Sequence, residues 1–163
     1  MYPVTEREIR ACLVNATLRE RNNLNLPNDF AGIDWDAIDY LGWRDRKYDG
    51  IAYVIVPHQQ GPVGILLRQA EARSRRMTQC SWCEDVYLSN DVVFYGAKLA
   101  GKAGRNGDTV GTLVCEHFEC SANVRRRHPA PYPGFDVEAA RAERISALRG
   151  HVDAFAQRVL DGD

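Results

Sequence analysis

Four thiols stand in two close pairs. Cys80-Ser81-Trp82-Cys83 is one, and Cys115-Glu116-His117-Phe118-Glu119-Cys120 holds the other, with 31 residues between them. Zinc takes four donors in a tetrahedron at roughly 2.0–2.3 Å, and thiolate suits it. A two-residue gap in a tight turn points both sulfurs inward while nearby backbone amides donate to them. The wider gap fits a strand end at Cys115 and a first helical turn at Cys120. There the positive end of the helix dipole favours a thiolate. A knuckle facing a strand-to-helix corner is the treble-clef arrangement. A site closed by four protein ligands leaves no position for water, so this zinc is structural and its cysteines are not candidate nucleophiles. His117 with Cys120 is a rival pair; the softness of thiolate favours Cys115.

Other residues invite weaker readings. Arg125-Arg126-Arg127-His128 ends the predicted helix after Cys120. It is either a set of cations offsetting the helix dipole or an anion-binding surface. Lys98, Lys102, Arg105 and the run Arg73-Ser74-Arg75-Arg76 join that surface if the fold brings them together. Gly101-Lys102-Ala103-Gly104-Arg105-Asn106-Gly107 lacks the Gly-Lys-Ser/Thr ending of a phosphate-binding loop, so a flexible basic hairpin loop is expected. Asp34, Asp36 and Asp39 have no glycine hinge or terminal glutamate and read as solvated loop carboxylates. Trp82, between two ligands, is expected to be partly exposed. Cys12 falls on an apolar helical stripe and reads as a small buried hydrophobe. No Ser/His/Asp set stands out, and no enzymatic activity is expected.

The elements that must position these residues follow from pattern. At 163 residues, 45% hydrophobic and 26% charged, the chain reads as one soluble domain. It has no apolar run of transmembrane length and no secretory signal, so a cytoplasmic, reducing setting is expected. Residues 68–128 carry ten basic and seven acidic side chains, and both flanking segments are net negative. That bias permits an anionic partner. Thr5-Glu6-Arg7-Glu8 is a capping box that opens a helix over about 6–21. Strands are predicted over 40–43, 51–56, 63–68, 85–88, 92–99 and 109–114. One helical turn is expected near 34–36, and a short helix from Cys120 runs until Pro129 blocks it. Asp136 caps a last helix to about 160, with Ile145, Leu148, Val152, Phe155 and Val159 on one stripe and Gly150 weakening its middle. The fold class is α+β: an antiparallel sheet with N- and C-terminal helices and a four-Cys treble-clef zinc finger, the finger portion spanning about 78–128.

The run Gly101-Lys102-Ala103-Gly104-Arg105-Asn106-Gly107-Asp108-Thr109-Val110-Gly111-Thr112-Leu113-Val114-Cys115, followed by Cys120-Ser121-Ala122-Asn123-Val124-Arg125, resembles a known family. It is similar to the treble-clef zinc-finger domain of elongation factor G-binding proteins, which include fusidic acid resistance proteins. Asn25-Leu26-Pro27 and Leu41-Gly42-Trp43-Arg44-Asp45 resemble its actinobacterial members, so the likeness covers about residues 3–160. The resemblance implies binding to elongation factor G and, in resistance members, release of the drug-stalled factor from the ribosome. It places Cys80, Cys83, Cys115 and Cys120 at the metal positions. The resistance members carry a helical bundle ahead of this domain, where this sequence shows one helix. Lys98, Lys102, Arg105, Arg125, Arg126 and Arg127 are the expected partner-binding residues. An RNA- or ribosome-binding zinc protein using the same cations is the alternative.

Overall fold

A computed structural model describes residues 1–70, 78–86 and 90–162. Five antiparallel strands lie in chain order: β1 (Leu41–Arg44), β2 (Ile51–Val56), β3 (Val63–Gln69), β4 (Val92–Lys98) and β5 (Thr109–Cys115). The β2–β3 hairpin pairs from Ile51↔Arg68 to Val56↔Val63. The β4–β5 hairpin pairs from Val92↔Cys115 to Lys98↔Thr109. Among the described residues, the pairs Arg68↔Gly96 and Gln69↔Tyr95 and the Ala70 amide on the Phe94 carbonyl join the hairpins.

Strand alternation sends side chains to two cores. Ala52, Val54, Ile65, Leu67, Tyr95 and Val114 face one cluster, which also holds all four zinc-pair cysteines. Over it packs the last helix, α5 (Val137–Leu160), through Leu148, Val152, Phe155 and Val159. Each such side chain contributes about 1.5–3 kcal/mol by leaving water. Asp136 caps α5 by accepting from the Ala139 amide at 2.9 Å. On the opposite face, Trp43, Tyr53, Ile55 and Leu66 meet Ile9, Leu13 and Leu24.

The N-terminal segment is two helices, α1 (Glu6–Cys12) and α2 (Leu18–Asn23), where the sequence predicts one over 6–21. Leu13 turns extended and bridges Gly64, and the Val14 amide donates to the Gly64 carbonyl at 2.9 Å. A Cβ on Gly64 would lie 2.8 Å from the Cys12 sulfur, so only glycine permits this approach. Asn15 then bonds the backbone of Leu66 in both directions. Leu13 and Val14 give their backbone to the sheet and Asn15 its side chain, and Thr17 with Glu20 restarts the helix as a second capping box. Cys12 is half-buried, and burial pushes its thiol up to about 11.

Two further expectations change. The segment predicted as a flexible loop over 101–108 is a helix, α3 (Gly101–Asn106). Gly104 is there for contact, since a Cβ would stand 1.8 Å from the Leu99 carbonyl oxygen. Gly107, at φ +101°, is its left-handed C-cap. The turn expected near 34–36 is a β-turn closed by the Ala37 amide on Asp34, with a 3₁₀ turn just before it at Phe30–Gly32. Asp85 and Val86 are not in a strand; the rest of the predicted strand over 85–88 and the Arg73–Arg76 run lie outside the described residues.

Candidate metal centre

The helix after Cys115, α4 (Cys120–Arg125), starts at a ligand as expected. All four cysteine sulfurs lie within 4.8 Å of one another, and all four residues are buried. Cys80 and Cys120 sulfurs are 3.6 Å apart, and those of Cys83 and Cys115 are 3.7 Å apart. Sulfurs about 2.3 Å from a common centre form a tetrahedron with edges of about 3.8 Å. The donor set and its spacing therefore fit zinc. His117 is exposed and lies outside the cluster, which resolves the rivalry in favour of Cys115.

Backbone and side-chain donors already point at the sulfurs. The Trp82 and Cys83 amides donate to the Cys80 sulfur at 3.4 and 3.5 Å. The Asn123 side-chain amide donates to the Cys115 sulfur at 3.4 Å and to that of Cys83 at 3.8 Å. Hydrogen bonds with Cys115 and then Cys120 hold Cys80 and Cys83 below the usual thiol range. Cys120 is pushed up by its bonds to Cys115, Cys80 and Cys83. Cys115 is pulled down by Cys120, but its bonds to Cys80 and Cys83 and its burial outweigh that and push it up. Glu84 (φ +52°) and Phe118 (φ +61°) are non-glycine residues in left-handed backbone, one in each ligand turn. Each costs about 1–2 kcal/mol, which ligand bonds offset.

Trp82 is buried, against the expectation of partial exposure. Its ring packs on Tyr40 (5.2 Å), Phe155 (5.6 Å) and Phe118 (6.5 Å). Phe118 in turn requires Gly42, where a Cβ would come within 2.6 Å of its ring. The Trp82 ring is therefore packed between the β1 side and α5, not offered to solvent.

Asp39 is likewise no solvated loop carboxylate; its side chain is only 1% exposed. Arg125 donates to both of its oxygens, and Arg149 of α5 donates through Nε at 2.8 Å. The Asp39 amide donates to Ser121 Oγ at 3.0 Å. Burial pushes the Asp39 carboxyl up, but the two guanidinium groups outweigh it and hold it below its ordinary value.

The expected cations are thus divided. Arg125 is tied into the Asp39 ion pairs, while Arg126 and Arg127 are exposed beyond the end of α4. Arg144, near the start of α5, donates to the Val124 and Arg126 carbonyls. Lys98, Lys102 and Arg105 are exposed around α3, whose Ala100 amide donates to Val159 at the other end of α5. Fifteen helical residues separate 144 from 159, a distance of about 22 Å. The two groups do not form one patch.

The motif residues of the N-terminal half have structural work. Asn25 donates to Asp45 at 3.0 Å, and Trp43 Nε1 donates to the Asn25 carbonyl at 2.8 Å. Asp45 also accepts the Lys47 and Tyr48 amides, closing the β1–β2 turn. The sequence pattern gives Asn123 no role at the metal and leaves Asp39 among the solvated carboxylates, where the structure buries and pairs it. Only the position of Asn123, three residues after Cys120 on the same helix face, was a usable signal.

A family model described as the FBP C-terminal treble-clef zinc-finger matches residues 8–159. The chain belongs to this family. Its four-cysteine cluster is the structural zinc site of a treble-clef finger. No curated protein sequence matches the chain. Among solved structures, the chain is similar to that of the fusidic acid resistance protein FusC, with a TM-score of 0.56 and 20% identity. That match covers 76% of this chain and 53% of FusC, so the chain spans about half the length of that protein. At this identity the likeness is one of fold.

Proposed function

We propose that this family member is a non-enzymatic binding module that docks on translation elongation factor G and modulates its release from the ribosome. Membership of the zinc-finger family over residues 8–159 carries the reading, and the fold shared with a fusidic acid resistance protein supports it. The closed four-thiolate site fits the absence of catalysis, because it offers substrate no coordination position. In this reading zinc joins the knuckle to the β5–α4 corner, and the rigid surface meets its partner at small ordering cost. A cytoplasmic setting goes with that partner; among the described residues, no helix is long and apolar enough to cross a membrane.

The test is capture of purified elongation factor G by the zinc-loaded protein, with and without ribosomes. Saturable binding at micromolar concentration is expected, and no binding at that concentration overturns the proposal. The exposed Arg126 and Arg127 favour a second reading, contact with ribosomal RNA. Affinity for RNA would then fall steeply with salt, in proportion to the phosphates contacted. A shallow slope and a preference for the factor reject it.

A further inference from the structure

The second face of the sheet is covered unevenly. Over β1–β3 it is buried under Val4, Ile9, Leu13 and Leu24 of the N-terminal segment. Gly96 pairs with Arg68, so the same face continues across β4 and β5. There the cross-strand pairs run Phe94↔Leu113, Gly96↔Gly111 and Lys98↔Thr109. Phe94 is 45% exposed, and neither it nor Leu113 joins either core cluster.

The middle pair has no side chains. A Cβ on Gly111 would stand 2.0 Å from the Phe94 ring, so the ring lies over Gly111 and glycine is what admits it. The result is one aromatic ring on a bare backbone floor, with a leucine beside it. Aromatic side chains, phenylalanine included, are enriched at protein interfaces relative to the rest of the surface.

At the α3 end of this face Lys98 and Arg105 line one hollow with Val14, Asn15 and Glu20. Residues 92–115 hold three cations, Lys98, Lys102 and Arg105, and one anion, Asp108. All four are exposed. The nearby Glu20 is already paired with Arg68 at 2.7 Å. The metal centre also reaches this hairpin. Cys115 ends β5 opposite Val92, and the Ser81 amide of the knuckle donates to the Leu113 carbonyl at 2.8 Å. Zinc thereby fixes the strand on which Leu113 stands.

We propose that the β4–β5 face is the docking surface for the translation factor. Phe94 is its apolar anchor, Leu113 widens it, and Lys98, Lys102 and Arg105 form a cationic rim facing a carboxylate-rich rim on the partner. This rests on the reading given under Proposed function. A protein partner fits better than a nucleic acid, because successive bases need successive aromatic platforms. The neighbours of Phe94 on this face of β4 and β5 are Val92, Gly96, Gly111 and Leu113, with no second aromatic ring among them.

The experiment measures binding of purified elongation factor G, and of ribosomal RNA in parallel, to wild type, Phe94→Ala and Lys98→Glu. Zinc content and thermal midpoint are checked for each. The expected result is at least tenfold weaker factor binding for Phe94→Ala, mostly through faster dissociation. Lys98→Glu should slow association several-fold at low salt, with the difference fading as salt rises. If Phe94→Ala fails to hold zinc, Lys98→Glu decides the matter alone. Wild-type binding with both variants within twofold of it overturns this surface and leaves the proposed function standing. No wild-type binding to the factor overturns that function and this surface with it. RNA binding that depends on Phe94, without factor binding, overturns the choice of a protein occupant.

Discussion

Asn123 sits on the face of α4 that Cys120 uses, and its amide donates to two of the four sulfurs. Hydrogen bonds to thiolates spread their negative charge and strengthen their hold on a cation. Asn123→Ala is therefore expected to weaken zinc retention by about 10- to 100-fold. Competition with a chromophoric chelator measures it; release at the wild-type rate would reduce Asn123 to a packing residue. Asp39 acts at the same scale but through charge. Its carboxyl titrates below its ordinary value in the folded protein. The stability it contributes is thus complete above the unfolded value of about 4 and is lost as pH falls through the lower folded value. Asp39→Asn should lower stability by about 2 kcal/mol near neutral pH, a figure reduced from that of a fully buried pair because Arg149 is 63% exposed. The difference from wild type should shrink below pH ~4. Denaturant titrations at pH 7 and pH 3 test this, and an equal gap at both would refute the ion-pair account.

At the scale of elements, two helical glycines make opposite predictions. Gly104 of α3 has no room for a side chain, whereas a Cβ on Gly150 of α5 would meet nothing within 4 Å. Gly150→Ala should stabilise the protein by about 0.5–1 kcal/mol through helix propensity alone. Gly104→Ala should destabilise it by more than that, since the Leu99 carbonyl is backbone and must move. Thermal midpoints that shift in the same direction for both would contradict this. The contrast also explains what the sequence made legible. Strand alternation gave the two hairpins, the cysteine spacing gave the metal corner, and the apolar stripe gave α5, because each is a local pattern. The break between α1 and α2 depends on Gly64, some fifty residues away, and no local window contains it. α3 looked like a loop because its glycines were read as freedom, while the structure uses them for close contact and for a cap. Trp82 looked exposed because its aromatic neighbours, Tyr40, Phe118 and Phe155, come from three distant segments. The ion pairs of Asp39 span 86 and 110 residues and left no trace in local composition.

The whole molecule is one sheet with a different support on each face, and only one support contains the metal. Cys80, Cys83, Cys115 and Cys120 lie in the cluster with Trp82 and α5, while Ile9, Leu13, Trp43 and Tyr53 form the other. Removing zinc leaves four buried thiols and two left-handed non-glycine residues without the bonds that offset them. Structural zinc in small domains is worth on the order of 10 kcal/mol at neutral pH, comparable to the entire stability of a domain. Chelation should therefore unfold the α4–α5 side, and the apolar contacts of Ile9, Leu13 and Leu24 with β2 and β3 should give way last. Amide hydrogen exchange separates the two sides. Amides of β5 and α4 should lose protection first on zinc removal, while those of β2 keep more of theirs. Trp82, buried in the metal-side cluster, should show red-shifted emission, and added zinc should reverse both changes. Cys120→Ser, which removes one ligand and disturbs the start of α4, should reproduce the chelated state with metal present. Equal protection of β5 with and without zinc would mean that packing alone holds the corner, and the ligand turns would then carry their strain unaided.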